Sequence, residues 1–412
     1  KEKIFVKNKD YVPIRVRISR HGPIINDVLE SVGKKEIQPI AISWEMLKNF
    51  ENSTEKVFYE LGHSKSLSDT MEAVSKLYSP GLNINYGDSE GNIAWWGAAR
   101  LLIRPPNVNS FLILDGSSGR DEIIGYRNFS ENPQSINPQS GIIFNANNQP
   151  GDMGNGLEPG YYAPQERAHR IRQLLDPIKK DWTLEDMQSI QLDTKHPRID
   201  NFRKHFITIF SNSSNKSNIF LKAAETFLEW DGYHTKFAVG PTIFHRLFYN
   251  LSLGIFADEI EEKGVQVLLN VSLLDKSIPL LLENPKSRWW DNLKTPNHLE
   301  TKSEILLKAW ENTIDSLEKD FGSDVESWSW GKIHTLEIKH LLGQKKPMNY
   351  FFNIGPYSAP GSKGVINQIR HKYGPKQLQV TSGPSTRRVI DFGNPEISIG
   401  ISPTGQSGNF FD

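Results

Sequence analysis

Three asparagines crowd one short stretch of this sequence, Ser140–Pro150, with the letters SGIIFNANNQP. The apolar run 142–144 is typical of a strand, and it ends in Asn145, Asn147 and Asn148. A side-chain amide offers two N–H donors and one acceptor without carrying charge. Beside a reacting carbonyl such a donor can stabilise an oxyanion, and its loss can cost about 10²–10³ in rate. The residues alone leave open whether one asparagine does this or whether all three simply tie a loop.

A second motif with chemical potential is Gly87–Gly91, GDSEG, which matches the G-x-S-x-G pattern of a nucleophile elbow. An elbow needs a strand-to-helix turn, but the residues that follow, NIAWWGAARLLI, predict a returning strand. We therefore expect an acidic hairpin turn here. A serine esterase that uses Ser89 is kept as a weaker alternative.

The histidines show neither an H-E-x-x-H motif nor an i, i+4 pair. His334 and His340 flank the alternating segment TLEIK, and on a strand they would share a face. We expect both to be polar strand residues. His21, in SRHGPII, is expected to be a buried hydrogen-bonding residue rather than a catalytic base.

Acidic residues in the loops around the asparagine stretch could bind calcium, which takes six to eight oxygen ligands. These residues are Asp115, Asp121, Asp152 and Glu158. The ordinary expectation for a loop carboxylate is that it is solvated.

Composition excludes several functional classes. The 48 basic and 48 acidic residues balance, whereas a nucleic-acid coat or a polybasic membrane anchor needs a positive excess. No stretch approaches the roughly 18 apolar residues of a membrane span. The absence of cysteine excludes disulfides, thiolate nucleophiles and cysteine-based zinc sites.

The 412 residues suggest about two or three domains. Alternation of apolar and polar residues predicts a hairpin that turns near residues 8–10 and a second hairpin that turns at residues 88–92. Residues 42–64 and 66–78 also have helical patterns. Helical periodicity then predicts the middle helices 165–176, 183–191, 198–211, 217–229, 240–258 and 301–321.

Strands return after residue 345, so the pattern favours an α+β architecture. We divide the chain into a β-rich portion (1–160), a mainly helical segment (161–322) and a strand- and loop-rich return to the core (323–412).

Several short segments then resemble one known family. In chain order they are RHGPII, GDSEGNIAWW, NPQSGIIFNANNQP, RAHRIRQLL, LEWDG, WSWGKIHTLEIKHLLG, SGPSTRRVIDF and SPTGQSGN. Together they resemble the β chain of penicillin acylases, which are N-terminal-nucleophile amidohydrolases, and the similarity covers essentially the whole sequence.

The resemblance implies an αββα sandwich of two antiparallel sheets with a helical middle segment. It also implies a precursor that cleaves itself into α and β chains. The new N-terminal serine would be the nucleophile and its α-amino group the base, which suits an amine with a pKa near roughly 7.7–8.0. The partners would be the α chain, the upstream β-chain segment and a small acyl amide.

Two residues correspond to the family's catalytic machinery. The resemblance implies that Asn147 is an oxyanion donor and that Arg167 orients the amide network. Asn145, two residues away on one face of the expected strand, would support Asn147, and Asn148 would tie the loop. No cofactor is implied for the chemistry, but a structural calcium ion is, with Asp152 and Glu158 as candidate ligands.

The sequence also departs from the family pattern, because residue 1 is lysine rather than the nucleophilic serine. We therefore expect an internal part of the β chain that is inactive alone, with its nucleophile upstream. The alternative is a non-catalytic binding or scaffold module.

The acyl group and the amine stay open among penicillins, N-acyl amino acids and acyl-homoserine lactones. Trp95, Trp96, Tyr161 and Tyr162 could line part of an acyl pocket, although core packing is the expected role of the tryptophans. The family suggests a periplasmic or extracellular location.

Overall fold

The computed structural model describes residues 1–29, 38–48, 54–150, 162–175, 178–179, 181–214 and 217–405. The chain forms two compact units. The first comprises Lys1–Ile143 and Pro150–Tyr161, and the second comprises Phe144–Gln149 and Tyr162–Asp412. The asparagine segment therefore belongs with the second unit, although the first unit surrounds it in sequence. The three-part division made from the sequence stays a prediction about domains.

Short antiparallel strands and two helices make up the described part of the first unit. They are β1 (Glu2–Ile4), β2 (Val12–Ile14), β3 (Ile18–Ser19), β4 (Gly22–Pro23), α1 (Thr54–His63), α2 (Leu67–Ser75), β5 (Leu82–Gly87), β6 (Ile93–Ala98), β7 (Leu102–Ile103), β8 (Gly125–Tyr126) and β9 (Gln134–Ile136). The pairs β1–β2 and β5–β6 confirm both hairpins. β9 adds a third strand beside β6, and Trp96 on β6 is fully buried beneath this sheet.

Helices dominate the second unit. They are α3 (Glu166–Leu174), α4 (Leu184–Gln191), α5 (Ile199–Asn212), α6 (Asn218–Glu229), α7 (Gly240–Asn270), α8 (Leu273–Leu282), α9 (Lys302–Phe321), α10 (Trp330–Ile333) and α11 (Asn349–Phe352). Its described strands are β10 (Thr335–Ile338), β11 (Ile354–Ser358), β12 (Arg370–His371), β13 (Val380–Ser382), β14 (Arg387–Val389) and β15 (Ile399–Ile401). These strands pair as β10–β11, β12–β13 and β14–β15.

One tryptophan organises the helical core. Trp310 of α9 is fully buried, and its ring centroid lies 4.4 Å from that of Phe210 and 5.7 Å from that of Phe227. Phe206 and Phe220 complete the contacts at 6.5 and 6.1 Å. The apolar stripe of α9 is therefore the element against which α5 and α6 pack. The three pairs with Phe206, Phe210 and Phe227 are tilted and the pair with Phe220 is edge-on, and aromatic pairs in favourable geometry each add about 0.5–1.5 kcal/mol beyond the area that they bury.

The α+β class is confirmed, and the six middle helices begin and end within a few residues of their expected bounds, except at the end of α7. The sequence-based expectation ends that helix at 258, whereas the structure continues it to Asn270 across a break at Glu261, where φ is 59°. Burial of Val265 and Leu269 holds the second piece in place. The sequence also misses α8, which contains Pro279.

Among the described residues, no single helix combines the length and the apolar character needed to cross a membrane. Helices α7 and α8 meet that test only as a pair bent by 108°.

Candidate active site

The asparagine segment is not a strand, which corrects the expectation from its apolar run. Residues 142–146 join no ladder, and the segment's pairing in the described structure is one isolated parallel bridge between Asn148 and Ala163. The reason is local. Asparagine side chains compete for backbone hydrogen bonds that a strand would otherwise make with a neighbour.

Asn145 turns the backbone instead of sharing a strand face with Asn147. Its Oδ1 accepts a hydrogen bond from the backbone N–H of Asn147 at 2.8 Å, which is an Asx turn. Asn147 takes the left-handed conformation with φ of 58°. Asparagine tolerates this conformation far better than most residues with a Cβ atom. The N-x-N spacing was the sequence signal for this turn.

Arg167, the second residue of α3, fixes the direction of the Asn147 side chain. Its guanidinium donates to the Oδ1 of Asn147 at 2.9 Å and to the carbonyl oxygen of Ala146 at 2.5 Å. Because arginine can only donate, the acceptor end of the Asn147 amide must face it. The Nδ2 group of Asn147 therefore points the other way, from an exposed residue. The structure thus brings Asn147 and Arg167 together and presents an N–H donor at the surface.

The charge of Arg167 is not neutralised by an ion pair with any carboxylate of the described residues. Burial and the nearby positive charge of Arg370 lower the pKa of Arg167 from its usual value. Arginine stays protonated even so, since its ordinary pKa is above about 12. The full positive charge consequently polarises the Asn147 amide, which strengthens Nδ2 as a donor toward developing negative charge.

Helix α3 is held in place by another arginine one turn further along. Arg170 makes a bidentate ion pair with Asp193, with nitrogen–oxygen distances of 3.0 and 2.7 Å. Their side chains are only 12% and 8% exposed. At the start of the helix, Glu166 is also largely buried, and desolvation raises the pKa of its carboxyl group. Arg167 therefore projects from a firmly anchored turn.

Ser89, the candidate for a nucleophile elbow, does not lie in one. Ser89 sits in the turn between β5 and β6, and β6 follows where an elbow would need a helix. The carboxylate of Asp88 holds that turn by accepting from the backbone N–H groups of Glu90 and Asn92 at 3.0 and 2.9 Å. The acidic hairpin turn expected from the sequence is thus confirmed.

The singled-out histidines do not form a site together. His21 hydrogen bonds through Nε2 to Glu122 at 2.7 Å and is only partly buried. His334 is buried and precedes β10, whereas His340 lies beyond the end of that strand and stacks on Phe352. The expectation that His334 and His340 share one strand face is wrong because the strand stops at Ile338.

The calcium candidates divide into two groups. Asp115 accepts from the backbone and side chain of Ser117, and Asp121 accepts from the backbone N–H of Asp115 at 2.9 Å. Asp152 and Glu158 lie outside the described residues. Within the ranges that the structure describes, no three acidic or histidine side chains come together as a metal site would need.

Of the aromatic pocket candidates, Trp96 belongs to the buried core of the first unit, and Trp95 donates through Nε1 to the Oδ1 of Asn83 at 3.0 Å. Tyr162 accepts at its carbonyl oxygen from Lys276. Tyr161 lies outside the described residues. Core packing, the expected role for the tryptophans, therefore holds for Trp96.

No sequence pattern indicated the buried histidine cluster of the second unit. Its members are His234, His245, His334 and His371, packed around Trp330. The Nε2 atoms of His234 and His245 lie 3.1 Å apart, so one of them donates and the other accepts. Burial lowers the pKa of each of these four histidines.

Similarity to known proteins identifies the family of this chain. The family model for penicillin amidase matches residues 1–412. The chain belongs to the penicillin amidase family. It is 25% identical over 446 residues to an acyl-homoserine lactone acylase, QuiP, from Pseudomonas aeruginosa, covering 99% of this chain and 52% of that protein. It is 23% identical over 407 residues to a penicillin acylase 2 proenzyme from Pseudomonas sp. strain SE83, covering 95% and 48%.

Among solved structures, a thermostable penicillin G acylase from Alcaligenes faecalis matches with a TM-score of 0.57 and 17% identity. The match covers 87% of this chain and 68% of that one, and it shows a shared fold. This penicillin amidase family chain spans about half the length of the relatives that it matches.

Proposed function

We propose that this chain supplies the oxyanion-binding part of an N-terminal-nucleophile amide hydrolase, with Asn147 as the side-chain donor. The observation that carries this is the contact between Arg167 and the Oδ1 of Asn147, because it leaves the Nδ2 donor facing outward. Membership of the penicillin amidase family supports the reaction class, hydrolysis of a linear acyl amide.

The nucleophile in this proposal is the N-terminal serine of the mature β chain, upstream of the residues described. Its hydroxyl attacks the amide carbonyl while its own α-amino group takes the proton. The carbonyl oxygen becomes an oxyanion, to which Asn147 Nδ2 donates. Collapse of the intermediate breaks the C–N bond, the amine leaves with the proton, and water then hydrolyses the acyl-serine ester. On this proposal the 412 residues alone are inactive.

Arg167 contributes without touching the substrate. By holding Oδ1 it keeps the amide from rotating, so the donor is aimed before the oxyanion forms. A preorganised dipole of this kind costs no reorganisation during the reaction, which is the main source of its catalytic value. Arg167 is therefore a positioning residue in this scheme.

Acyl-homoserine lactones are the first substrates to test, because relatives from several Pseudomonas species carry the name acyl-homoserine lactone acylase. Penicillins come second, on the name of the strain SE83 relative. The products would be a free carboxylic acid and an amine. In this proposal Asn147 donates to the carbonyl that both substrate classes share.

The decisive experiment compares Asn147→Asp and Asn147→Gly in the full-length protein after self-cleavage has been verified by intact mass. Aspartate keeps an acceptor for Arg167 but has no N–H to donate, and glycine keeps the left-handed backbone without a side chain. We expect both variants to lower kcat for acid release by about 10²–10³ with the fold retained.

A matched control is Asn137→Asp, since Asn137 is also left-handed, with φ of 44°, but lies in the hairpin sheet of the first unit. It should leave kcat unchanged. Wild-type kcat in both Asn147 variants would remove Asn147 from the oxyanion site. No acid release from any amide by the self-cleaved wild-type protein would reject the proposed reaction itself.

A further inference from the structure

The backbone of Ala146 and Asn147 makes more hydrogen bonds within the protein than an exposed loop needs. We propose that Asn145 and Asn148 are positioning residues, whose side-chain carbonyls clamp the dipeptide Ala146–Asn147 so that the Asn147 amide is aimed in advance. This inference rests on the proposed role of Asn147 and assigns the neighbouring asparagines a part in the same reaction.

All four backbone polar groups of the dipeptide are bonded. The N–H of Asn147 donates to Asn145 Oδ1 at 2.8 Å, and the N–H of Ala146 donates to Asn148 Oδ1 at 3.2 Å. The carbonyl of Ala146 accepts from Arg167, and the carbonyl of Asn147 accepts from the N–H of Ala163 at 2.7 Å. The peptide plane between the two residues consequently cannot rotate without breaking bonds at both of its ends.

The clamp determines where the Asn147 side chain projects. Asn147 is left-handed, a conformation that costs energy for a residue with a Cβ atom and persists where surrounding bonds hold it. Relaxation to an extended backbone would swing Nδ2 away from its present direction. A misplacement of about 1 Å at a catalytic group can cost about 10² in rate. Ala146, only 1% exposed, packs beneath the turn and resists the same movement.

The two clamping asparagines differ in strength. Asn148 also donates through Nδ2 to the carbonyl of Gln149 at 3.0 Å, which fixes its amide with Oδ1 toward Ala146. Its bond to the Ala146 N–H is at the long end of the ordinary range, whereas the Asn145 bond is short. Loss of the Asn145 carbonyl should therefore have the larger effect on catalysis.

The test uses the self-cleaved full-length enzyme with Asn145→Ala, Asn145→Ser and the control Asn109→Ala. Asn109 makes the same Asx turn, accepting from the N–H of Phe111 at 3.1 Å, in a loop of the first unit. We expect Asn145→Ala to lower kcat about tenfold or more with KM little changed, since aim rather than binding is lost. Serine, which makes the same kind of turn more weakly, should recover part of kcat, and Asn109→Ala should not alter it.

A double variant separates this inference from the proposed function. In the Asn147→Asp background, Asn145→Ala should cost at most about twofold more, because two residues that act through one donor are not additive. If Asn147→Asp lowers kcat but Asn145→Ala stays within twofold of wild type, or serine recovers nothing, the positioning role is overturned while the donor stands. If Asn147→Asp has no effect, the proposed function itself fails.

Should Asn145→Ala not accumulate as folded enzyme, Asn148→Ala carries the test, because it removes the other side-chain bond of the same clamp. A smaller fall in kcat with unchanged KM is then expected, and wild-type kcat would overturn the proposal.

Discussion

The asparagine segment and the histidine cluster of the second unit differ in the reactivity of their side chains and, in the opposite sense, in the exposure of those side chains. The histidines have the more versatile chemistry, yet His234, His245, His334 and His371 are at most 4% exposed. Neither ring nitrogen of His371 has a hydrogen-bond partner among the described residues. The asparagines are chemically modest, but Asn147 is exposed, oriented by Arg167 and bonded along its backbone.

Solvent access and a fixed orientation of the side chain therefore identify a candidate site better than side-chain reactivity does. A catalytic base must accept a proton near neutral pH, and burial opposes this in the histidine cluster. An oxyanion donor must only be aimed correctly, and uncharged amides can be aimed without a desolvation cost for charge. On the proposed function, catalysis belongs to the asparagine segment, and the buried histidine cluster is part of the core instead.

The largest expected loss of stability follows from replacing Arg170, one of the arginines on α3. Arg170→Met leaves the buried Asp193 carboxylate uncompensated, so the free energy of unfolding should fall by about 3–5 kcal/mol. Urea denaturation of the full-length protein measures this. The kcat of the fraction that remains folded should fall far less than on loss of Arg167, because Arg170 touches neither Ala146 nor Asn147 and acts on them only through the placement of α3.

Arg167→Met is the counterpart, one turn away in α3. It removes both bonds that orient Asn147, so kcat should fall about 10²-fold while the free energy of unfolding changes far less. Reversal of the two phenotypes, with Arg170→Met impairing kcat and Arg167→Met only stability, would contradict our assignment of the helix.

The next effect is a loss of stability in acid. Burial lowers the pKa of His196, which borders the histidine cluster, from 6.5 to about 4. Between these values the unfolded chain binds a proton that the folded chain does not, so the free energy of unfolding falls as the pH drops from about 6.5 to 4. His196 alone contributes at most about 3 kcal/mol. The four buried histidines add in the same direction.

Urea midpoints at pH 7.5, 6.5, 5.5 and 4.5 give the measurement, and His196→Gln should flatten the dependence by about one proton. A free energy of unfolding that does not change from pH 7.5 to 4.5 would show that these histidines are not held neutral by the fold.

The smallest effect is expected at His371. Leucine removes two ring nitrogens that have no hydrogen-bond partner among the described residues, and replacement of an unsatisfied polar group by an apolar one is often nearly neutral. The free energy of unfolding of His371→Leu should change by less than about 1 kcal/mol, with kcat unaltered. His334→Leu is the matched comparison, because neutral His334 has one N–H, which can donate to the carbonyl of Ala359 at 2.8 Å, and its loss should be destabilising. A large fall in kcat for folded His371→Leu would show that the histidine cluster takes part in catalysis.

Much of the helical layer could be predicted from sequence because periodicity and caps agree there. The stripe on α9 and the capping box between Thr301 and Glu304 both mark the same helix. The resemblance named Asn147 and Arg167, and the structure adds the bond between them. The strand at 142–144 was wrong because a short apolar run has no signal for side-chain bonds that replace a ladder.

The histidine cluster could not be predicted for a different reason. Its members come from residues 234 to 371, and no short-range spacing connects them. Only the packing of α7, α10 and the strands that follow brings them together. Likewise, the backbone N–H of Ala163 donates to the carbonyl oxygen of Asn147, and no pattern of side chains in the sequence reveals this bond.

The left-handed backbone of Asn147 narrows the routes by which this protein could evolve or be engineered. Glycine accommodates the conformation but brings no donor, and aspartate tolerates it but brings only acceptors. Serine and threonine could donate, but the left-handed backbone costs them more than it costs asparagine. Of these residues asparagine meets both demands best, so a serine or threonine donor at this position would require redesign of the turn before redesign of the chemistry.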